Sequence, residues 1–170
     1  MPSNNTGFMA GFIAGSYPGK IGMLISPNGW RKPPHVIPYA LDNGAYGAWI
    51  NKTDWDESEF YAMLNEAREH HAPLWVACPD KVADRIATLR LWPHHSKRIR
   101  QIGYRPAFVL QDGMTPHDIP KDAEVVFVGG STKWKWKNLS MFTGIGLRVH
   151  VGRVNSYEGL WICHDLGVVS

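Results

Sequence analysis

Five short polar clusters hold the residue types in this chain that could do chemistry, and each follows an apolar run. They are Asp42-Asn43-Gly44-Ala45-Tyr46-Gly47, Pro79-Asp80, Gln111-Asp112-Gly113, Gly129-Gly130-Ser131 and Gly152-Arg153-Val154-Asn155. Carboxylates accept hydrogen bonds, a carboxamide both donates and accepts, and paired glycines let backbone groups approach a ligand closely. Brought together, Asp42, Asp80, Gln111, Gly129 and Gly130 would form a pocket for a polar, planar ligand. A sixth stretch, Lys133-Trp134-Lys135-Trp136-Lys137, alternates cations with flat rings, a combination suited to phosphates and stacked bases. Arg153, Arg148 and Lys32 would extend that basic surface.

Each cluster also has a plainer reading. Asp80 can cap a helix beginning near Lys81, and Asp42-Asn43-Gly44 can be a tight turn. Gly129-Gly130 and Gln111-Asp112-Gly113 suit any sharp strand-to-helix turn, and the Lys–Trp stretch can open an amphipathic helix with solvated lysines. The pairs His70-His71 and His94-His95 point apart on a helix, and no Cys or carboxylate in the sequence pattern completes a metal set around them. No metal and no cofactor is expected.

Position favours the functional reading of the five clusters. Apolar, β-branched runs at 21–26, 37–42, 73–78, 106–111, 124–129 and 147–152 predict six strands, with a seventh beginning at Val168-Val169. Helical spacing over 54–70 puts Phe60, Met63, Leu64 and Ala67 on one face, with acids near its start. Further helices are expected over 81–92, 96–102 and from Ser156 to Gly167, while 27–38 reads as one long loop. Strands alternating with helices predict a parallel sheet with helices outside, in which ligands sit at the carboxyl ends of the strands. All five clusters fall at that end.

The chain has 170 residues, 44% of them hydrophobic and 19% charged, with 18 Lys and Arg against 15 Asp and Glu. That composition excludes a disordered chain, and the length predicts one α/β domain over 1–170, short of the roughly 250 residues of a full eight-stranded barrel. Two cysteines exclude a disulfide scaffold and point to a reduced cytoplasmic setting. No apolar run is long enough to span a membrane, and Met1–Thr6 lacks the start of a signal peptide, so no membrane partner is expected.

The order of these motifs resembles the tRNA-guanine (queuine) transglycosylase superfamily, in particular its phage and bacterial branch that places 7-deazaguanines in DNA. Leu41-Asp42-Asn43-Gly44-Ala45-Tyr46 is similar to the family's Asp-Ser-Gly-Gly-Phe-Gln segment, Asp80 to its base-binding Asp, Gln111 to its pocket Gln, and Gly129-Gly130 to its Gly-Gly. The likeness runs from about residue 37 to 170. It implies a shortened or incomplete TIM-type (β/α) barrel with mostly parallel strands, and a pentosyltransferase that exchanges guanine for a deazaguanine-type base.

In that picture Asp42 works at the sugar, and Asp80, Gln111, Gly129 and Gly130 hold the base. Tyr46 or Trp134 stacks where the base has left, and Lys133, Lys135, Lys137 and Arg153 meet phosphates. The family's zinc site, which helps seat tRNA, has no counterpart, so DNA is the favoured nucleic acid and, for a phage-encoded protein, the host cytoplasm the setting. The family's nucleophilic Asp would follow the strand after Gly167. Its role would fall to Asp42 or Asp112, or to a second copy or partner chain that completes the barrel; otherwise the pocket binds a base or nucleotide without chemistry. Hydrolysis of the same glycosidic bond is a further alternative.

Overall fold

The protein is described by a computed structural model covering residues 22–35 and 37–169. The leader reading at Met1–Thr6 and the expected strand start at Ile21 lie outside the described residues. Among the described residues six strands form one sheet: β1 (Met23–Ile25), β2 (Tyr39–Leu41), β3 (Val76–Ala77), β4 (Pro106–Leu110), β5 (Val125–Val128) and β6 (Arg148–Val151). They lie side by side in sequence order and every neighbouring pair is parallel. The sheet curls into a half-barrel with five helices, the α/β architecture of an incomplete TIM-type barrel.

The two-residue period of the strands builds two apolar layers. One face carries Ile25, Tyr39, Leu41, Val76, Cys78, Phe108, Leu110, Val126, Val128, Val149 and Val151, which join the main core with the helices. The inner face carries a separate cluster of Ala40, Trp75, Ala77, Ala107, Val109 and Val125, with Leu24 and Phe127 against it. Three alanines there keep the centre narrow, while Trp75, Phe127 and buried His150 fill the space between strands, their rings 4.7–5.8 Å apart. Continuing the same period past each strand brings Asp42, Gln111 and Gly129 onto the inner side at the carboxyl rim.

The helices are α1 (Ala45–Asn51), α2 (Glu57–Ala67), α3 (Arg85–Ile102), α4 (Thr132–Asn138) and α5 (Tyr157–Asp165). Caps set most of their starts: Asp56 accepts from the Glu59 N–H and Asp84 from the Ala87 N–H, while Ser131 and Ser156 do the same for α4 and α5. The two helices expected over 81–92 and 96–102 are one. α3 starts later, at Arg85, and runs through Pro93 to Gly103, whose φ of 102° ends it. Proline forfeits one amide hydrogen bond, and the inward packing of Trp92, His95 and Ile99 on either side holds the helix together. The chain after α5 returns to the sheet, where the Val169 N–H donates to the Val149 carbonyl at 3.1 Å beside β6, although Val168-Val169 forms no strand. No helix among the described residues is long and apolar enough to cross a membrane.

Candidate functional site

The turn after β2 builds the first wall. The Asp42 N–H still belongs to the sheet, donating to the Ile25 carbonyl at 2.8 Å. Gly44, at φ 78°, turns the chain into α1. Asn43, 2% exposed, is the hub between them: its amide donates to the Cys78 carbonyl at 2.8 Å and to Asp80 Oδ1 at 2.7 Å, and its Oδ1 accepts the Ala45 N–H. Trp55 Nε1 donates to the Asn43 carbonyl at 2.7 Å. Asp42-Asn43-Gly44 is therefore a turn, as its composition says, and also the scaffold that aims Asp80.

Asp80 does not cap α3, because Asp84 does. Gln111, at the end of β4, donates from Nε2 to Asp80 Oδ2 at 2.8 Å, and its Oε1 accepts the Ala83 N–H at 2.9 Å. Two carboxamides thus grip one carboxylate, an oxygen each, leaving lone pairs on both oxygens for a ligand.

The glycine pair closes the opposite wall. A Cβ on Gly129 would lie 2.9 Å from the Leu110 carbonyl oxygen, and one on Gly130 would lie 2.5 Å from Asp112 Oδ1 and 2.7 Å from the Trp134 ring; Gly130 also has φ 66°. Asp112 is committed to this turn, accepting the Ser131 N–H at 2.5 Å and hydroxyl at 2.6 Å. It is not among the residues that line the pocket, so it is not placed to replace a nucleophile there.

Together these elements enclose a cavity of about 120 Å³ at the carboxyl rim. Asp42, Asn43, Asp80, Gln111, Gly129 and Gly130 supply its polar surface, and Leu24, Val82, Val109 and Phe127 its apolar surface. That volume is well below the roughly 300–1,000 Å³ of sites for drug-sized ligands, so it suits one small planar molecule. Tyr46 and Arg153 also line it: the Arg153 guanidinium stands 4.3 Å from the centre of the Tyr46 ring and donates to the Gly130 carbonyl. Arg153 has φ 56°, an uncommon backbone state for a non-glycine residue.

Loss of water dominates the electrostatics. Burial pushes Asp42 up to about 6, against the pull of the Asn43 and Gly44 N–H groups. Burial pushes Asp80 to about 7, with the Asn43 amide opposing and the neighbouring Asp42 charge adding to the rise. The two carboxyl groups are coupled through the Asp42 charge, which makes Asp80 the later of the two to ionise as pH rises.

The Lys–Trp stretch departs from its expected role. Lys135 is fully buried in α4, where its ammonium donates to the carbonyls of Gly152 and Arg153 and lies 4.9 Å from the Trp136 ring. It cannot meet a phosphate from there; burial and the nearby Arg153 charge push it down to about 8. Trp134 packs on Phe142 with ring centres 5.8 Å apart and presses against Gly130, so it is partly buried against the core rather than a free stacking face. Lys133 and Lys137 are exposed but do not line the pocket. Of the residues expected to meet phosphates, Arg153 is the one that lines it.

The sequence reading missed Asn43 as a positioning residue, although its place between Asp42 and a turn glycine was a signal. It also missed a carboxylate near the second histidine pair. Ligand atoms of Glu57, His94 and His95 come within 4.8 Å of one another on α2 and α3. Glu57 is paired with Arg98 at 2.6 Å, and His95 Nδ1 is bonded to the Tyr61 hydroxyl at 2.8 Å, so this cluster is already engaged in joining the two helices. Comparison with protein-family models, with curated proteins and with solved structures returns no match.

Proposed function

We propose that the pocket receives a purine-like base and that the protein exchanges such a base at a glycosidic bond of nucleic acid, with DNA favoured and a 7-deazaguanine-type base incoming. The carrying observation is the pair Asp42 and Asp80 in one small rim cavity, the second held by two carboxamides. Asp80, Asn43 and Gln111 present acceptors and donors to the edge of a heterocycle, while Val109, Val82 and Phe127 provide apolar surface for its faces. Asp42, ionised above about 6, faces the position where a sugar carbon gains positive charge as the bond to the base breaks. The departing base takes a proton from the carboxyl pair as its bond to the sugar carbon breaks, and the incoming base returns one as its ring nitrogen bonds to the same carbon.

The test is transfer of labelled guanine into a short oligonucleotide, alongside calorimetry with guanine and 7-cyano-7-deazaguanine. Asp42→Asn should reduce exchange at least 100-fold while free-base affinity changes little; Asp80→Ala should weaken base binding first. Full exchange activity in Asp42→Asn would overturn the mechanism. One observation favours a second reading: each Asp80 oxygen is held by one protein donor, which fixes the carboxylate as a rigid recognition edge. Tight base binding with no exchange in the unaltered protein would select that reading, a protein that holds a free modified base.

A further inference from the structure

A second cavity, of about 290 Å³, opens beside the first. The two share Asp80 and Val82, so they are neighbouring compartments on one rim. The larger is walled by α1 and the segments that follow β3 and α1, and its lining includes Trp49, Lys52, Trp55 and Lys81. Trp49 is 52% exposed, and its ring lies 5.9 Å from that of Tyr46, which is 38% exposed at the mouth of the first cavity. A continuous aromatic edge therefore leads from one compartment to the other. Exposed aromatic rings beside cations offer stacking faces and phosphate charges together. Lys52 and Lys81 are exposed and form no ion pair among the described residues, and Asp54 is the remaining charged group on this wall besides Asp80.

A cavity of about 120 Å³ can hold a base but not the nucleotides joined to it, so a polymeric substrate must lay its adjacent units outside. We propose that the second cavity binds the nucleotide next to the one whose base enters the first, with Trp49 stacking on its base and Lys52 and Lys81 meeting the flanking phosphates. This rests on the reading of the first pocket as a base site. Single-stranded or everted nucleic acid is the ligand that matches a half-exposed indole with two free ammonium groups beside it. Asp54 faces the same space and makes the contact depend on where each phosphate falls, rather than on net charge.

Fluorescence anisotropy with a short, labelled, guanine-containing single-stranded DNA, repeated over a salt series, tests the proposal; calorimetry with free guanine runs in parallel. Trp49→Ala should weaken oligonucleotide binding about 5- to 150-fold, with Trp49→Phe recovering most of it. Lys52→Ala and Lys81→Ala should each lower the slope of log affinity against log salt by about 0.7. Free-guanine affinity should stay unchanged in all three alanine variants, since none of these residues lines the smaller pocket. Wild-type affinity and salt slope in all three, no binding of the oligonucleotide by the unaltered protein, or a parallel loss of guanine binding would overturn it. Failure of the base-pocket reading looks different: no free-base binding and no exchange, with oligonucleotide binding still dependent on Trp49.

Discussion

Two short helices on the carboxyl side of the sheet combine lysine with aromatic residues, and they use them in opposite directions. α4 turns Trp134, Lys135 and Trp136 toward the interior, leaving Lys133 and Lys137 in solvent. α1 buries only Ala45 and leaves Tyr46, Trp49 and Ile50 open to the rim, with Lys52 exposed at its end. Both have seven residues. The difference lies in what each has to cover. α4 joins β5 to β6 and must pack on the outer face of the sheet, and its aromatic rings supply apolar area there. α1 leaves β2 through a left-handed glycine, and α2 follows it before β3; the outer core includes α2's Phe60, Tyr61, Met63, Leu64 and Ala67 but no α1 residue. A composition typical of nucleic-acid contact can therefore belong to core packing, while a plainer sequence forms the open surface.

The largest effect that would break this contrast concerns the tryptophans. Trp134→Ala should cost about 2–4 kcal/mol in urea unfolding, since it leaves a hole against Phe142 and Gly130, whereas Trp49→Ala should stay within about 0.5 kcal/mol. Equal costs would mean that α1 packs as α4 does. Next comes Lys135→Met, which keeps much of the buried stem but strands the Gly152 and Arg153 carbonyls; a loss of about 1–3 kcal/mol is expected. Because those carbonyls flank the backbone of Arg153, the same variant should also loosen the Arg153–Tyr46 contact at the pocket mouth, measurable as faster amide exchange near Arg153.

Between the two helices lies the carboxylate pair, where the sign of the effect is reversed. A carboxyl group whose folded value is raised above its unfolded value carries more protons folded than unfolded. Stability then falls as pH rises from about 4 through 6 for Asp42, and on through 7 for Asp80. Asp42→Asn should therefore raise stability above pH 7 by about 1–3 kcal/mol, the upper end being the whole rise from 3.8 to about 6 at about 1.4 kcal/mol per unit. Thermal unfolding at pH 5 and pH 8 measures this, and a destabilised variant at pH 8 would show that Asp42 is not strained by burial. The smallest effects belong to Lys133→Ala and Lys137→Ala, each expected within about 0.5 kcal/mol in the same assay because both side chains are exposed.

Much of this fold was legible. All six strands lie within the stretches read as strands, because β-branched runs bounded by turn residues leave few alternatives. α2 was legible because four apolar residues repeat on one face and Asp56 caps it. α1 was not, because a helix that buries only Ala45 has no apolar period to read, and it contains Gly47. The unity of α3 was hidden by Pro93, whose local cost is outweighed by packing that sequence spacing does not display. Asp42, Asp80, Gln111, Gly129 and Gly130, which line one cavity, stand out in the sequence by their position, since the end of each strand is where a parallel sheet opens. The hydrogen bonds joining Asn43, Asp80 and Gln111 do not, because they link three separate strand ends.

Local chemistry and period thus determined which residues stand at the rim and which faces of the strands are apolar. Direction was decided by the tertiary structure. The curl of the sheet sets two partly buried carboxylates in one cavity. The connection each helix must make turns the lysine and tryptophans of α4 inward and the aromatic residues of α1 outward. Burial is a property of what surrounds a residue, and those surroundings come from parts of the chain far away in sequence.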